Sequence, residues 1–161
     1  MYYTGGNYYT VKIIGHDGKA VGSGVPVKFS IAGKNYNVKT DRNGYASLKI
    51  SLKPNKYVVT VHYANYKVSN KITVKPVLTA KNISKKKGKV IKFKAKLVNG
   101  KGKPLKGKKI TFKFKGKKYK VKTNKKGVAT LKLKLKLKVG KYTIKTSYGK
   151  STIKNIIKIR K

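Results

Sequence analysis

Hydrophobic and polar residues alternate with a period of two along almost the whole chain. The clearest case is LKLKLKLK at residues 131–138, where every second residue is Leu and every other residue is Lys. In a β-strand this pattern places one row of side chains in the core and the other row in solvent. No segment shows the spacing of apolar residues that an amphipathic helix needs. The pattern therefore predicts an all-β protein.

Turn-forming residues between the alternating segments divide the chain into predicted strands. In the first part of the sequence the predicted strands are residues 8–14, 25–31, 35–40, 44–52, 56–63 and 67–75. In the second part they are residues 77–83, 89–98, 109–115, 118–123, 127–137, 141–148 and 151–160. About seven short antiparallel strands in such a segment are typical of an immunoglobulin-like (Ig-like) β-sandwich.

One sequence pattern occurs twice, as VKFSIAGKNYNVKTDRNGYASLKI at residues 27–50 and as ITFKFKGKKYKVKTNKKGVATLKL at residues 110–133. The repeat predicts two tandem Ig-like domains, residues 1–76 and 77–161, of about seven strands each. The first domain lacks the opening strand of the second, unless residues 2–4 form a short one. Two explanations stay open: a truncated sequence, or an open sheet edge that pairs with another protein chain.

Positive charge is concentrated in the second repeat. The chain has 44 Lys and Arg residues against two acidic residues, a net charge of +42. Residues 1–76 carry 11 Lys, Arg42, Asp17 and Asp41, a balance of +10, whereas residues 77–161 carry 31 Lys and Arg160 with no acid, a balance of +32. Such a charge opposes compaction by self-repulsion and favours polyanionic partners.

An outward array of lysines is predicted for the second repeat. We expect the second, fourth and fifth strands to share one sheet, with one row of side chains facing solvent. These outward positions are Lys92, Lys94, Lys96, Lys120, Lys122, Lys132 and Lys134; the first repeat has Tyr8, Thr10, Lys12, Asn37, Lys39, Lys49 and Ser51 there. We favour binding of an anionic polymer over the alternative, a solvated lysine coat that protects the sheets from aggregation.

Two further motifs occur in both repeats and indicate structure. Asp41 to Gly44 and Asn124 to Gly127 are interpreted as turns closed by an Asp or Asn side chain, since the second copy lacks the carboxylates of a calcium loop. Tyr57 and Tyr142 begin equivalent strands, where a tyrosine corner is expected in an Ig-like sandwich. The alternative for these tyrosines is an aromatic binding platform.

Residues with catalytic or metal-binding chemistry are scarce. The chain has no Cys, and its two histidines, His16 and His62, have no predicted acidic or His partner. We therefore predict no enzyme activity, no metal site and no cofactor. Asn82 begins the sequon Asn-Ile-Ser and is a candidate for N-glycosylation. No apolar run approaches the roughly 18 residues of a membrane span, so no membrane insertion is expected.

Several paired segments carry a resemblance to a known family. They are DGKAV and GKGKPL after the first hairpin strand, the turns TDRNGYA and TNKKGVA, the strands NKYVVTVHY and GKYTIKTSY, and the closing NKITV and NIIKI. With these motifs the chain resembles the tandem bacterial-type Ig-like domains of adhesin-like surface proteins of methanogenic archaea. The resemblance implies an extracellular module at the cell surface or cell wall without catalysis. Because the sequence has no signal peptide, we expect a fragment of a longer secreted protein.

Three functional hypotheses follow. In the first, the second domain binds or anchors to an anionic cell-wall or surface polysaccharide. In the second, the chain is an assembly subunit whose incomplete first domain accepts a strand from a neighbouring protein. In the third, the chain binds nucleic acid non-specifically, although many of the tyrosines that could stack on bases fall at predicted inward or corner positions. These are Tyr36, Tyr57, Tyr63, Tyr119, Tyr142 and Tyr148.

Overall fold

A computed structural model describes the whole chain, Met1–Lys161, as two compact units, Met1–Lys75 and Pro76–Lys161. The first unit contains β1 (Tyr8–Lys12), β2 (Pro26–Ile31), β3 (Lys34–Lys39), β4 (Tyr45–Lys49), β5 (Asn55–Tyr63) and β6 (Tyr66–Val74). The second contains β7 (Leu78–Ala80), β8 (Ile83–Lys86), β9 (Ile91–Leu97), β10 (Lys109–Phe114), β11 (Lys117–Lys122), β12 (Val128–Leu133), β13 (Gly140–Tyr148) and β14 (Ser151–Arg160). The structure contains no helix that could span a membrane.

The second unit is a sandwich of two sheets. A three-stranded sheet has the order β12-β9-β7, and a five-stranded sheet has the order β11-β10-β13-β14-β8. All pairs are antiparallel except β14 with β8. The apolar rows of both sheets face each other, and the rings of Phe93 and Phe112 meet edge to face at 5.9 Å. The alternation of Leu, Ile and Phe with Lys produces this core, and the predicted Ig-like β-sandwich is confirmed.

The first unit repeats this plan with fewer strands. Its sheets are β4-β1 and β3-β2-β5-β6, and Phe29 lies fully buried between them with Tyr9 at its edge. Tyr2 forms a parallel bridge with Lys75, at the place where β8 pairs with β14 in the second unit. No strand of the first unit corresponds to β7.

The segment predicted as one strand at residues 77–83 contributes to two strands. β7 pairs with β9, and β8 pairs with β14 in the other sheet. The chain passes from one sheet to the other at Asn82, whose side chain holds this segment against β14. The Asn82 side-chain oxygen accepts hydrogen bonds from the backbone N–H of Ile156 at 2.9 Å and from the Asn155 amide at 3.1 Å. Pairing of β12 ends at Leu133, although the predicted strand continued to residue 137. The alternation persists beyond it because Leu135 still packs on the core and Leu137 is buried.

The expectation that the second, fourth and fifth predicted strands share a sheet is wrong. The fourth strand, β11, pairs with β10 in the five-stranded sheet, whereas β9 and β12 form the other sheet. The reason lies in the two-residue turn Lys115–Gly116, where both residues have positive φ, 49° and 78°. A turn of this kind folds β11 back directly beside β10, so the two strands belong to one sheet.

Candidate functional site

The turns of both units use an Asp or Asn side chain to hold the backbone. The Asp41 carboxylate accepts from the N–H groups of Asn43 at 2.8 Å and Tyr45 at 3.0 Å. Asn124 makes the equivalent bonds, to the N–H of Lys126 at 2.9 Å and of Val128 at 3.0 Å. An amide and a carboxylate thus do the same work, which is the closing of a turn.

Tyr57 and Tyr142 tie two loops to the sandwich. Each hydroxyl donates a 2.8 Å hydrogen bond to a backbone carbonyl four residues earlier, that of Lys53 for Tyr57 and that of Lys138 for Tyr142. This is the hydrogen bond of a tyrosine corner. The Lys115 ammonium also lies 5.4 Å from the centre of the Tyr142 ring. The hydroxyl and the ring of Tyr142 are thus both engaged within the second unit.

Five of the seven lysines in the expected array belong to the three-stranded part of the second unit. Lys92, Lys94 and Lys96 are exposed on β9, and Lys92 lies directly opposite Lys132 of β12. Lys134 follows the end of β12. Beside β9 is a groove of about 430 Å³, lined in part by Lys92, Lys94, Lys96 and Lys81, with Ala80 and Ala95 as apolar lining.

Lys120 and Lys122 lie on the other sheet. Both are exposed on β11, opposite Thr111 and Lys109 of β10. They therefore lie on the outer face of the five-stranded sheet, whereas the other five lysines belong to the three-stranded side. The seven lysines do not form one surface. The alternation predicts the exposure of each lysine, but it carries no information on which sheet each strand joins.

The five-stranded sheet carries a denser set of cations than the one expected. Lys113 of β10 lies directly opposite Lys118 of β11 on one side and Lys145 of β13 on the other. Lys145 in turn lies opposite Lys154 of β14. We call Lys118, Lys113, Lys145 and Lys154 the lysine row. All four side chains are exposed, and at a strand spacing of about 4.8 Å the row crosses four strands over about 14 Å.

The first unit has a neutral row at the same place. Asn35, Ser30, Thr60 and Ser69 occupy the equivalent positions on four adjacent strands, in the same register. Ser30 donates a hydrogen bond to Asn35 at 2.6 Å, and the hydroxyls of Thr60 and Ser69 are 3.0 Å apart. One repeat therefore has a row of neutral side chains paired by hydrogen bonds, where the other has four lysines at adjacent positions.

Electrostatic repulsion within the lysine row is unfavourable for the isolated protein. Two unit charges held at the strand spacing of about 5 Å would repel by somewhat less than 1 kcal/mol even in water, and each inner lysine has a lysine on both neighbouring strands. The second unit has no acidic side chain to offset this repulsion, because Asp17 and Asp41 both lie in the first unit. Anions from outside the chain would relieve the repulsion.

The sequence alone could not reveal the row, because the row depends on which strands pair. The β10–β11 and β13–β14 hairpins bring two of its three pairs of positions together. The third pair, Lys113 and Lys145, joins strands that are distant in sequence.

The remaining candidates are dispersed. His62 is partly buried on the outer face of β5, opposite Lys28 and Lys67, and desolvation, followed by the charges of these two lysines, lowers its pKa below the usual value of 6.5. His16 lies against the ring of Tyr66, 6.2 Å away. No three His, Asp or Glu side chains cluster as metal ligands. Asn82 is exposed, and its glycosylation stays a prediction.

The sheet topology defines a pair of Ig-like sandwich units. No model of a protein family matches the chain, and no curated protein matches its sequence. Among solved structures it is similar to domains 4 and 5 of the S-layer protein SbsC, with 17% identity and a TM-score of 0.36, covering 92% of this chain and 78% of that one.

Two further similarities are to longer proteins. Invasin, a bacterial integrin-binding protein, is 15% identical with a TM-score of 0.39, covering 96% of this chain and 37% of that one. The I9–I11 tandem of titin is 14% identical with a TM-score of 0.39, covering 99% of this chain and 62% of that one. The chain thus spans less than two thirds of either structure. The fold assignment rests on the sheet topology of this chain.

Proposed function

We propose that the chain is a non-enzymatic, adhesin-like module of the extracellular cell surface or cell wall, and that its second unit binds an anionic surface polymer such as an acidic polysaccharide. The observation that carries this proposal is the lysine row. Four adjacent strands of one repeat replace Asn, Ser, Thr and Ser by four lysines in cross-strand register. The fold does not need those cations, since the first unit forms the same sheet without them.

The row suits a polymer better than a small anion. Its four lysines lie at consecutive positions across the strands, so carboxylate, phosphate or sulfate groups spaced along a chain can each approach one cation. Binding releases the counterions that both partners hold in free solution, so the affinity falls steeply with salt. Lysine ammonium groups act as compact point charges, whereas arginine would impose a planar, bidentate geometry. The site therefore selects a ligand by its density of negative charge and not by a particular sugar.

Lys92, Lys94, Lys96 and Lys132 contribute a second basic face on the opposite sheet. Their groove has an apolar lining at Ala80 and Ala95. We assign this face a supporting role, because its lysines are not aligned across four strands. Lys120 and Lys122 extend the face that holds the lysine row.

A matched exchange tests the proposal. The full-length variant K113S/K118N/K145T/K154S gives the second unit the residues that the first unit has at the same positions. The control variant K101Q/K103Q/K125Q/K126Q removes the same number of charges from exposed turns. Polygalacturonate serves as an anionic polysaccharide probe and dextran as a neutral one, and binding is measured between about 0.05 and 0.3 M NaCl by biolayer interferometry.

We expect the row variant to bind polygalacturonate at least about tenfold more weakly than the parent and with a smaller salt slope, since several counterion-releasing contacts are lost. The control should lose much less affinity, and no variant should bind dextran. Equal losses in both variants would show that total charge, not the row, determines binding, and would contradict the proposal. Circular dichroism spectra of both variants confirm that the sandwich is intact.

A further inference from the structure

The first unit has an open sheet edge, whereas β7 covers the equivalent edge within the second unit. In the second unit, β7 pairs antiparallel with the edge of β9, with Leu78 opposite Leu97 and Ala80 opposite Ala95. The equivalent strand of the first unit, β1, pairs only with β4. Ile13 uses its N–H and C=O for bonds to Gly44 and Val21. Since backbone groups alternate sides along a strand, those of Lys12 face the open edge.

A groove follows this edge. Its volume is about 340 Å³, and its lining includes Val11, Ile13, Ile14, Tyr66 and Val68. In the repeat alignment, Val11 and Ile13 correspond to Ala95 and Leu97, the residues that β7 covers. The groove therefore occupies the place of β7.

Apolar side chains along the groove are exposed to an unusual degree. Ile14 is 49% exposed, Tyr66 is 59% exposed and Val68 is 57% exposed. In the second unit the counterpart of Val68 is Ile153, which is only partly exposed and packs on the core. Leu78 of β7 is itself 1% exposed. The first unit therefore exposes apolar surface at the place where β7 lies in the second unit.

An asparagine that holds β7 is also present at the groove. In the second unit the Asn155 amide donates to the carbonyl of Ala80, at 3.2 Å. Its counterpart in the first unit, Asn70, lines the groove and donates instead to the Tyr9 hydroxyl, at 2.7 Å. Rotation of this exposed amide would make it available to the carbonyl of an incoming strand.

We propose that this groove binds an extended polypeptide segment from outside residues 1–161, which adds to β1 as an antiparallel strand. The segment places a large aliphatic side chain opposite Ile13 and a small one opposite Val11, as Leu78 and Ala80 do in the second unit. The residue between them faces outward beside Lys12, where a neutral or acidic side chain fits. All strands of residues 1–161 are engaged in their own sheets, so the segment comes from outside them. This site is independent of the proposed polyanion surface.

The test uses a fluorescein-labelled peptide with the sequence VLTAKNIS, which is residues 77–84, and the full-length chain. We expect saturable binding by fluorescence anisotropy, reduced at least tenfold in the variant I14K/V68K. The control V58K adds charge at another exposed apolar residue of the first unit, 53% exposed and outside the groove, and should bind as the parent does. An absence of binding, or equal loss in V58K, would overturn the proposal.

Disulfide trapping determines the register. The chain has no Cys, so Lys12→Cys provides a unique thiol, and the peptide VLCAKNIS carries a Cys at the position that faces Lys12 in the proposed register. We expect the Lys12→Cys variant to form the mixed disulfide and a Tyr8→Cys variant to remain unlinked. Equal linkage of both would overturn the antiparallel register. Sedimentation velocity of the chain alone adds a last criterion: a dimer that V68K abolishes would make a second copy of residues 1–161 the occupant and overturn the assignment to a segment outside them.

Discussion

At the scale of single residues, equivalent positions in the two units experience different constraints. Gly44 and Gly127 both have positive φ, 80° and 74°, in the turns closed by Asp41 and Asn124. A Cβ at Gly44 would lie 3.0 Å from the Val21 carbonyl oxygen. At Gly127 the added atom would collide with the Leu97 carbonyl oxygen more closely, and a backbone atom cannot rotate away.

We therefore predict that Gly127→Ala destabilises the second unit by about 2–4 kcal/mol, the sum of left-handed strain and a displaced backbone. Gly44→Ala should cost the first unit less. Native-state hydrogen exchange, read separately at amides of β13 and β5, measures the free energy of opening in each unit. An equal cost in both units would contradict the prediction.

His62 provides a pH-dependent signal in the first unit. Desolvation and then the charges of Lys28 and Lys67 lower its pKa from 6.5. The folded state therefore binds the proton more weakly than the unfolded chain does. The contribution of His62 to the free energy of unfolding is therefore fully present above pH 6.5. It decreases as the pH falls below 6.5 and stays constant below the pKa of the folded state.

An NMR titration of the His62 ring should give a midpoint below 6.5. The variant Lys28→Thr/Lys67→Thr, which introduces threonine as in the second unit (Thr111 and Thr152), should raise the midpoint only in part, since desolvation is the largest cause and remains. An unchanged midpoint would mean that the two lysines do not contribute.

At the scale of strands, the sequence determines the face of each side chain and leaves the sheet partner open. Alternation placed Lys92, Lys120 and Lys132 outward, and all three are exposed. It did not place Lys120 in the correct sheet, because a period of two is the same for a strand in either sheet. The Lys115–Gly116 turn held that information, since a two-residue loop with Gly indicates a hairpin.

The opening strand shows a second limit of the sequence pattern. Residues 77–83 alternate too weakly to reveal that the chain changes sheets at Asn82, because the change depends on hydrogen bonds to β14 that are distant in sequence. For the same reason, the sequence predicts that the first unit lacks its opening strand but does not show which sheet edge this leaves open. Only the pairing of β7 with β9 shows that the open edge belongs to β1.

At the scale of the whole molecule, the two units share some features and differ in others. The same hydrogen bonds occur in both units, made by the turn acceptors Asp41 and Asn124 and by Tyr57 and Tyr142. The differences are an open apolar edge in the first unit and a lysine row in the second. One fold thus offers two different surfaces, and we propose a polypeptide segment as the partner of the first and an anionic polymer as the partner of the second.

The unequal charge also predicts unequal responses of the two units to salt. Raising NaCl from about 0.01 M to about 1 M shortens the Debye length from about 30 Å to about 3 Å. Screening should stabilise the second unit, with +32 on residues 77–161, more than the first, with +10 on residues 1–76. If it relieves about 1 kcal/mol of repulsion, the Tm of the second unit rises by roughly 4–8 °C.

Thermal melts followed by two-dimensional NMR resolve the units through Ile144 and Val59, both fully buried, and the first unit serves as an internal control for general effects of salt. The variant K113S/K118N/K145T/K154S should lose a large part of the additional rise, because its row no longer repels itself. Equal shifts at Ile144 and Val59 would show that the lysines are too well solvated to oppose folding, and would remove the energetic reason for an anionic partner.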